Sequence, residues 1–191
     1  MKENNRDEQV YIHYGHKEYN KYVFCRIENR MFPKPTGGLW ACRIETNDWI
    51  KWCKNENFYL GKYSEDNCFK FKLKMGSRIL TIDSVDSLKT LPKISSEFGF
   101  IILDFEKISK EYDAIELLIS SDHELYYELY SWDIDSILIL NRNCIMPLWK
   151  VLYEKSKERY LWILLCRSNK RRSKKMGWLR NLWFLRISYI Q

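Results

Sequence analysis

Three well-separated segments of this 191-residue chain carry the side chains best suited to chemistry. They are Tyr11-Ile-His13-Tyr14-Gly15-His16, Lys34-Pro-Thr-Gly37-Gly38-Leu39-Trp40-Ala41-Cys42 and Trp132-Asp133-Ile-Asp135-Ser136-Ile137. Each joins a polar or aromatic residue to the edge of an expected strand, which would present that residue at the rim of a sheet. Together they offer an imidazole that hydrogen-bonds through either nitrogen, aromatic faces for stacking, and two carboxylates. Asp133 and Asp135 are two apart, so on a strand both leave the same face and each raises the pKa of the other. Glu116, on a further expected strand, is a third acid. His13 and His16 supply two metal-ligating nitrogens, but no third and fourth ligand follows at a recognisable spacing, so no metal is expected. The glycine patterns of dinucleotide and P-loop folds, the H-E-x-x-H helix and the G-x-S-x-G elbow are all absent.

These residues must be held by short elements. Residues 9–14 read as a strand, 17–30 as a short helix or irregular turn, and 32–38 as a breaker-rich loop feeding a strand at 39–43. Asn47 and Asp48 are placed to cap a helix carrying Trp49, Trp52 and Cys53. Residues 68–74 alternate strictly, Phe69, Phe71 and Leu73 against Lys70, Lys72 and Lys74, which predicts a half-buried strand whose lysines guard a sheet edge. Strands are also expected at 78–82, 114–119 and 136–140, and helical segments at 105–112 and 125–130. Pro147 is placed to open a helix running to about residue 166. Many short strands broken by short helices predict an α+β chain rather than a doubly wound sheet.

Composition agrees with a folded domain: 46% hydrophobic and 16% aromatic, with only 7 Gly and 4 Pro, which excludes disordered and low-complexity classes. The net charge is +7, yet residues 167–191 alone hold eight Lys and Arg and no acid, so residues 1–166 sum to −1. One domain over 1–166 with a basic, Trp- and Leu-containing tail over 167–191 is the expected organisation; such a tail suits phosphates, hence nucleic acid, or stands solvated. The six cysteines form no C-x-x-C pair, predicting reduced thiols. The polar start lacks the apolar core of a signal peptide, and no apolar run approaches the roughly 20 residues of a membrane span. A soluble, cytoplasmic protein, or one delivered by a signal-less route, is expected.

A His followed closely by Gly (His13, Gly15), a Gly-rich turn entering a strand with an aromatic and then a small residue (Gly37-Gly38-Leu39-Trp40-Ala41-Cys42), and a late acid-bearing strand (Asp133, Asp135) occur in that order over residues 9–145. In this order the chain resembles the ADP-ribosyltransferase superfold, in the branch with a His, an aromatic and an acid on three strands that includes poly-ADP-ribose polymerases and RNA 2′-phosphotransferases. The Trp49-x-x-Trp52-Cys53 helix follows where that family has its helix. The chain departs from the pattern in having Trp40 for the usual Tyr, Cys42 after the small residue, and Asp for the usual Glu.

The resemblance implies a split, bent pair of mainly antiparallel sheets with short helices. It implies NAD as substrate, with His13, Tyr14, Gly15, Trp40 and Cys42 binding it and Asp133 or Asp135 catalytic. It also implies transfer of ADP-ribose to a macromolecular acceptor, nucleic acid or protein, as toxins and effectors of this size do. The residues have plain roles open to them as well: His13 as a hydrogen-bonded strand histidine, Trp40 as core, and the aspartates as a turn pair. A non-catalytic module binding nucleic acid through aromatics and the basic tail, or an inactive transferase-like interaction domain, is the alternative.

Overall fold

A computed structural model describes residues 8–30, 33–59, 61–95, 102–129 and 132–148. The chain divides into two units, Met1–Leu148 and Trp149–Gln191, and all described residues belong to the first. The expected tail over 167–191, and the helix expected beyond Pro147, lie outside the described residues.

In chain order the elements are β1 (Tyr11–Tyr14), β2 (Cys25–Glu28), β3 (Thr36–Arg43), α1 (Asp48–Asn55), β4 (Cys68–Leu73), β5 (Ile79–Ile82), α2 (Val85–Lys89), β6 (Lys93–Ile94), β7 (Ile102–Leu103), α3 (Phe105–Glu111), β8 (Ala114–Leu117), α4 (His123–Glu128), β9 (Ser136–Ile139) and β10 (Ile145–Pro147). The fold is α+β. Eight strands form one sheet in the order β10-β4-β1-β3-β9-β8-β5, with β2 also paired to β3, while β6 and β7 form a separate two-stranded ribbon. Every pairing is antiparallel except β5 with β8. The three strands singled out for chemistry, β1, β3 and β9, are therefore consecutive neighbours.

Period-two patterning explains the core. Leu138 of β9 and Ile115 and Leu117 of β8 pack with Phe105, Ile108, Leu88 and Leu125 from α2, α3 and α4. The alternate residues Ile137, Ile139 and Ala114 pack on the other face with Leu39, Tyr11, Phe69 and Phe71. The helix α1 turns Ile50 and Cys53 inward, and Ile50 clusters with Ile12, Tyr14 and Cys42.

Four expectations change. Residues 25–28 form a strand, not a helix, because only Ile27 of that run is buried and it packs among the α2–α4 residues. Thr36-Gly37-Gly38 belong to β3 rather than to a loop; both glycines have positive φ, +80° and +66°, and while Thr36 and Gly38 pair with Glu28 and Cys25 of β2, Gly37 lies where the register shifts between them. The strand β4 lies between β10 and β1, so its lysines face outward from an interior strand and guard no edge. Pro147 closes β10 opposite Phe71, where the lost N–H is tolerated at a strand end.

Candidate functional site

The cleft forms where β1 and β3 part. Their ladder covers only Tyr11 and Ile12, whereas β1 stays paired to β4 through Tyr14. At the point of divergence the His13 ring reaches across, with Nδ1 2.7 Å from the Trp40 carbonyl oxygen. A carbonyl only accepts, so Nδ1 carries the proton and Nε2 is left as an acceptor. His16 Nδ1 lies 2.9 Å from that Nε2 and donates to it. The two rings are nearly parallel, at 16°, with centroids 5.2 Å apart.

The resulting cleft has a volume of about 340 Å³ and is lined by His13, Tyr14, Gly15, Trp40, Cys42 and Asp133, together with His16, Lys34, Trp49, Lys62, Tyr63, Trp132 and Ser136 among others. Six of the seven residues singled out from sequence thus meet in one place. The seventh, Asp135, is not among the lining residues. Ser136 opens β9, so residues 132–135 precede the ladder and the two aspartates do not share a strand face. The carboxylate of Asp135 instead accepts from Ser120 N–H (2.8 Å) and Ser120 Oγ (2.6 Å), tying two loops. Glu116 is not in the cleft either; it is buried on β8, accepting from Arg43 Nε at 2.8 Å and Tyr11 OH at 3.1 Å. Both bonds fall on Oε1, so Glu116 serves as the buried member of an ion pair with Arg43.

Asp133 is placed by its neighbour. Trp132, only 2% exposed, donates from Nε1 to the Pro33 carbonyl (3.0 Å) and stacks on Phe105 at 6.2 Å. It also meets Trp40 edge-on, with centroids 4.7 Å apart. That anchor holds Asp133 at the cleft, where its Oδ2 lies 3.4 Å from Lys34 Nζ. The Lys34 ammonium is 5.6 Å from the centre of the Trp40 ring.

Desolvation sets the protonation states. Burial pulls the His13 pKa down to about 4, with the Trp40 carbonyl opposing and His16 and Lys62 adding smaller depressions. Burial pushes Tyr14 up to about 12 and Cys42 up to about 11. Near neutral pH the cleft therefore holds a neutral imidazole, a neutral phenol and an inert thiol. The Tyr14 hydroxyl donates to Asn47 Oδ1 at 2.5 Å. For that reason Asn47, with φ +50°, stands at the start of α1 without making the side-chain cap bond expected of it.

Gly15, at φ +108°, lets the chain leave β1 sharply, its N–H bonding the Asn67 carbonyl at 2.8 Å; a β-carbon there would meet Tyr63 at only ordinary contact distance, so the constraint is conformational. Sequence reasoning gave no role to Lys34 or Tyr63. Tyr63 comes from a loop with no periodic signal, while Lys34 had one local cue, a proline on either side. Among the described residues no group of three or more His, Cys, Asp or Glu could hold a metal, all five cysteines are free, and no helix is long and apolar enough to cross a membrane. Comparison with known proteins finds no matching family, no matching curated protein and no matching solved structure.

The His13 geometry makes a first prediction. In ring-resolved NMR, His13 should be the Nδ1–H tautomer and titrate near pH 4 rather than near 6.5. Its folded pKa lies below the unfolded one, so the unfolded chain takes the proton first. The His13 contribution to stability is accordingly constant above about pH 6.5 and falls as pH drops from about 6.5 towards 4. A His13 pKa near 6.5 would show that the ring is not buried as described.

Proposed function

We propose that the protein is an NAD-dependent ADP-ribosyltransferase-like domain that binds the nicotinamide riboside half of NAD in this cleft and transfers ADP-ribose to a macromolecular acceptor. The observation that carries the reading is the convergence of His13, Tyr14, Gly15, Trp40, Cys42 and Asp133, from three separated segments, on one cleft. The cleft volume lies at the lower end of the roughly 300–1,000 Å³ of small-ligand sites, which suits half a dinucleotide.

The chemistry follows from residue types. The nicotinamide–ribose bond has a cationic leaving group, so its cleavage needs no strong nucleophile from the protein. As the C1′–N bond breaks, its electron pair leaves with neutral nicotinamide and positive charge develops on the ribose. Asp133 supplies the carboxylate that stabilises that charge. The acceptor atom then bonds to C1′ and loses its proton to solvent or a nearby base. Trp40, backed by Trp132, offers the face for the ring. The neutral His13, whose Nε2 is an acceptor already matched to a donor, can take a ribose hydroxyl in place of His16. No β-carbon at Gly15 blocks the approach of the carboxamide to the backbone, whose N–H is engaged by the Asn67 carbonyl.

A second reading draws on a different observation. Trp49 and Trp52 stack at 5.2 Å, Phe58 and Tyr63 adjoin them, and Tyr59 is 69% exposed. Such a cluster suits stacking of unpaired bases without catalysis. Calorimetric titration with NAD separates the two. The transferase reading expects saturable binding, weakened about tenfold in Trp40→Ala by the loss of stacking. Equal affinities in the two proteins, or no NAD binding beside tight binding of single-stranded RNA, would favour the stacking module.

A further inference from the structure

The position of Lys34 bears on what the cleft selects. Its segment is stiffened by Pro33 and Pro35 and tied down by the bond from Trp132 Nε1 to the Pro33 carbonyl (3.0 Å). From there the side chain carries its ammonium to 3.4 Å from Asp133 Oδ2 and 5.6 Å from the Trp40 ring centre. Both partners are more than half withdrawn from water, with side-chain exposures of 36% for Lys34 and 29% for Asp133. Burial lowers the Lys34 pKa while Asp133 partly restores it, as for an ammonium kept in place by its carboxylate. A cation drawn onto an aromatic face beside a carboxylate marks a cation-binding geometry.

We propose that Lys34 is an internal competitor, its ammonium occupying in the free protein the place on Trp40 and Asp133 that a positively charged ring takes when the ligand binds. This rests on the transferase reading for the identity of the ring, an oxidised nicotinamide, and sharpens it: the subsite selects a cationic ring over a neutral one, and Lys34 sets how tightly that ring is held. Two like charges cannot share one carboxylate and one aromatic face without mutual repulsion. A bound cation therefore displaces Lys34, whose four-carbon stem reaches water readily. The exchange also frees Asp133 from its lysine at the moment the ligand arrives, leaving the carboxylate facing the bond that breaks.

The test uses the full chain and two small probes, the 1-methylnicotinamide cation and neutral nicotinamide, titrated calorimetrically. Removing the competing charge in Lys34→Gln should tighten binding of the cation about fivefold, the scale of a partly exposed ion pair. Nicotinamide should change less than about twofold. Lys34→Met, of similar length and uncharged, should repeat the gain, and Lys34→Arg, which keeps the charge, should bind as the wild type does. Unfolding midpoints of the three variants check that each is folded. Weaker or unchanged binding of the cation in both Lys34→Gln and Lys34→Met overturns the proposal. So does an equal gain for cation and nicotinamide, which would make Lys34 a steric plug. A charge-selective gain in a protein that never cleaves NAD would leave this inference standing while the transferase reading fell.

Discussion

Asp133→Asn is expected to lower the rate of nicotinamide release from NAD by at least about a hundredfold, with NAD affinity changed by less than about threefold because the carboxylate holds the cationic ring and the competing Lys34 alike, so that its loss largely cancels in binding. The substitution keeps size and hydrogen-bonding reach and removes only the charge. Because positive charge on the ribose develops as the bond breaks, that loss falls on the transition state more than on the bound ground state. Asp133→Glu, which keeps the charge on a side chain one methylene longer, should retain measurable turnover. Asp135→Asn should leave turnover unchanged, since that carboxylate is occupied by Ser120 N–H and Oγ; its cost is about 1 kcal/mol of stability. A large loss of turnover from Asp135→Asn and none from Asp133→Asn would reverse the assignment of the acid.

The largest stability effect is expected at the entry to β3. Gly37 has φ +80°, and a β-carbon placed there falls on the Arg26 carbonyl of β2. Neither strand yields without breaking the pairing, so Gly37→Ala combines left-handed strain of about 1 kcal/mol with an overpacking cost of about 1–3 kcal/mol. A loss of about 3 kcal/mol is a large share of the total stability of a domain. Gly38→Ala should cost a similar amount, its β-carbon lying 2.6 Å from Leu138 Cδ1 and 2.8 Å from the Ile139 carbonyl oxygen. Gly76 is the control: its φ is +81° but a β-carbon there meets nothing within 4 Å, so Gly76→Ala should cost only about 1 kcal/mol. Urea denaturation of the three variants reads the difference, and equal midpoints would show that close approach at Gly37 and Gly38 does not limit the fold. Because Trp40 follows on the same strand, Gly37→Ala should also disturb the cleft.

What could be read in advance divides along physical lines. Strands with local alternation were legible: Cys68–Leu73 and Ser136–Ile139 each bury one face or both, as their residues dictate. The strand β2 was not, because Cys25-Arg-Ile-Glu28 shows a single buried residue and no period. Gly37 and Gly38 read as loop punctuation, since the approach of β2 and β9 that requires them is tertiary. The lysines of β4 suggested an edge, but the partner β10 comes from more than seventy residues downstream. At the cleft, residue types and their order on the chain located His13, Trp40 and Asp133. The choice between Asp133 and Asp135 turned on where a strand begins, a boundary that local pattern does not set. Glu116 looked available as an acid only because its partners, Arg43 and Tyr11, are distant in sequence. Lys34 heads one of the segments singled out, but its role was not legible because its ion pair spans ninety-nine positions.

Cleavage of NAD in the proposed site would be read as free nicotinamide released from NAD by the purified full chain. The release is followed alone and with added single-stranded nucleic acid or protein acceptors, beside Asp133→Asn. The wild type is expected to release nicotinamide steadily, faster with the correct acceptor, and Asp133→Asn to release it at least about a hundredfold more slowly. Release at the same rate by both proteins, or none above buffer from the wild type with any acceptor, would contradict the proposed cleavage.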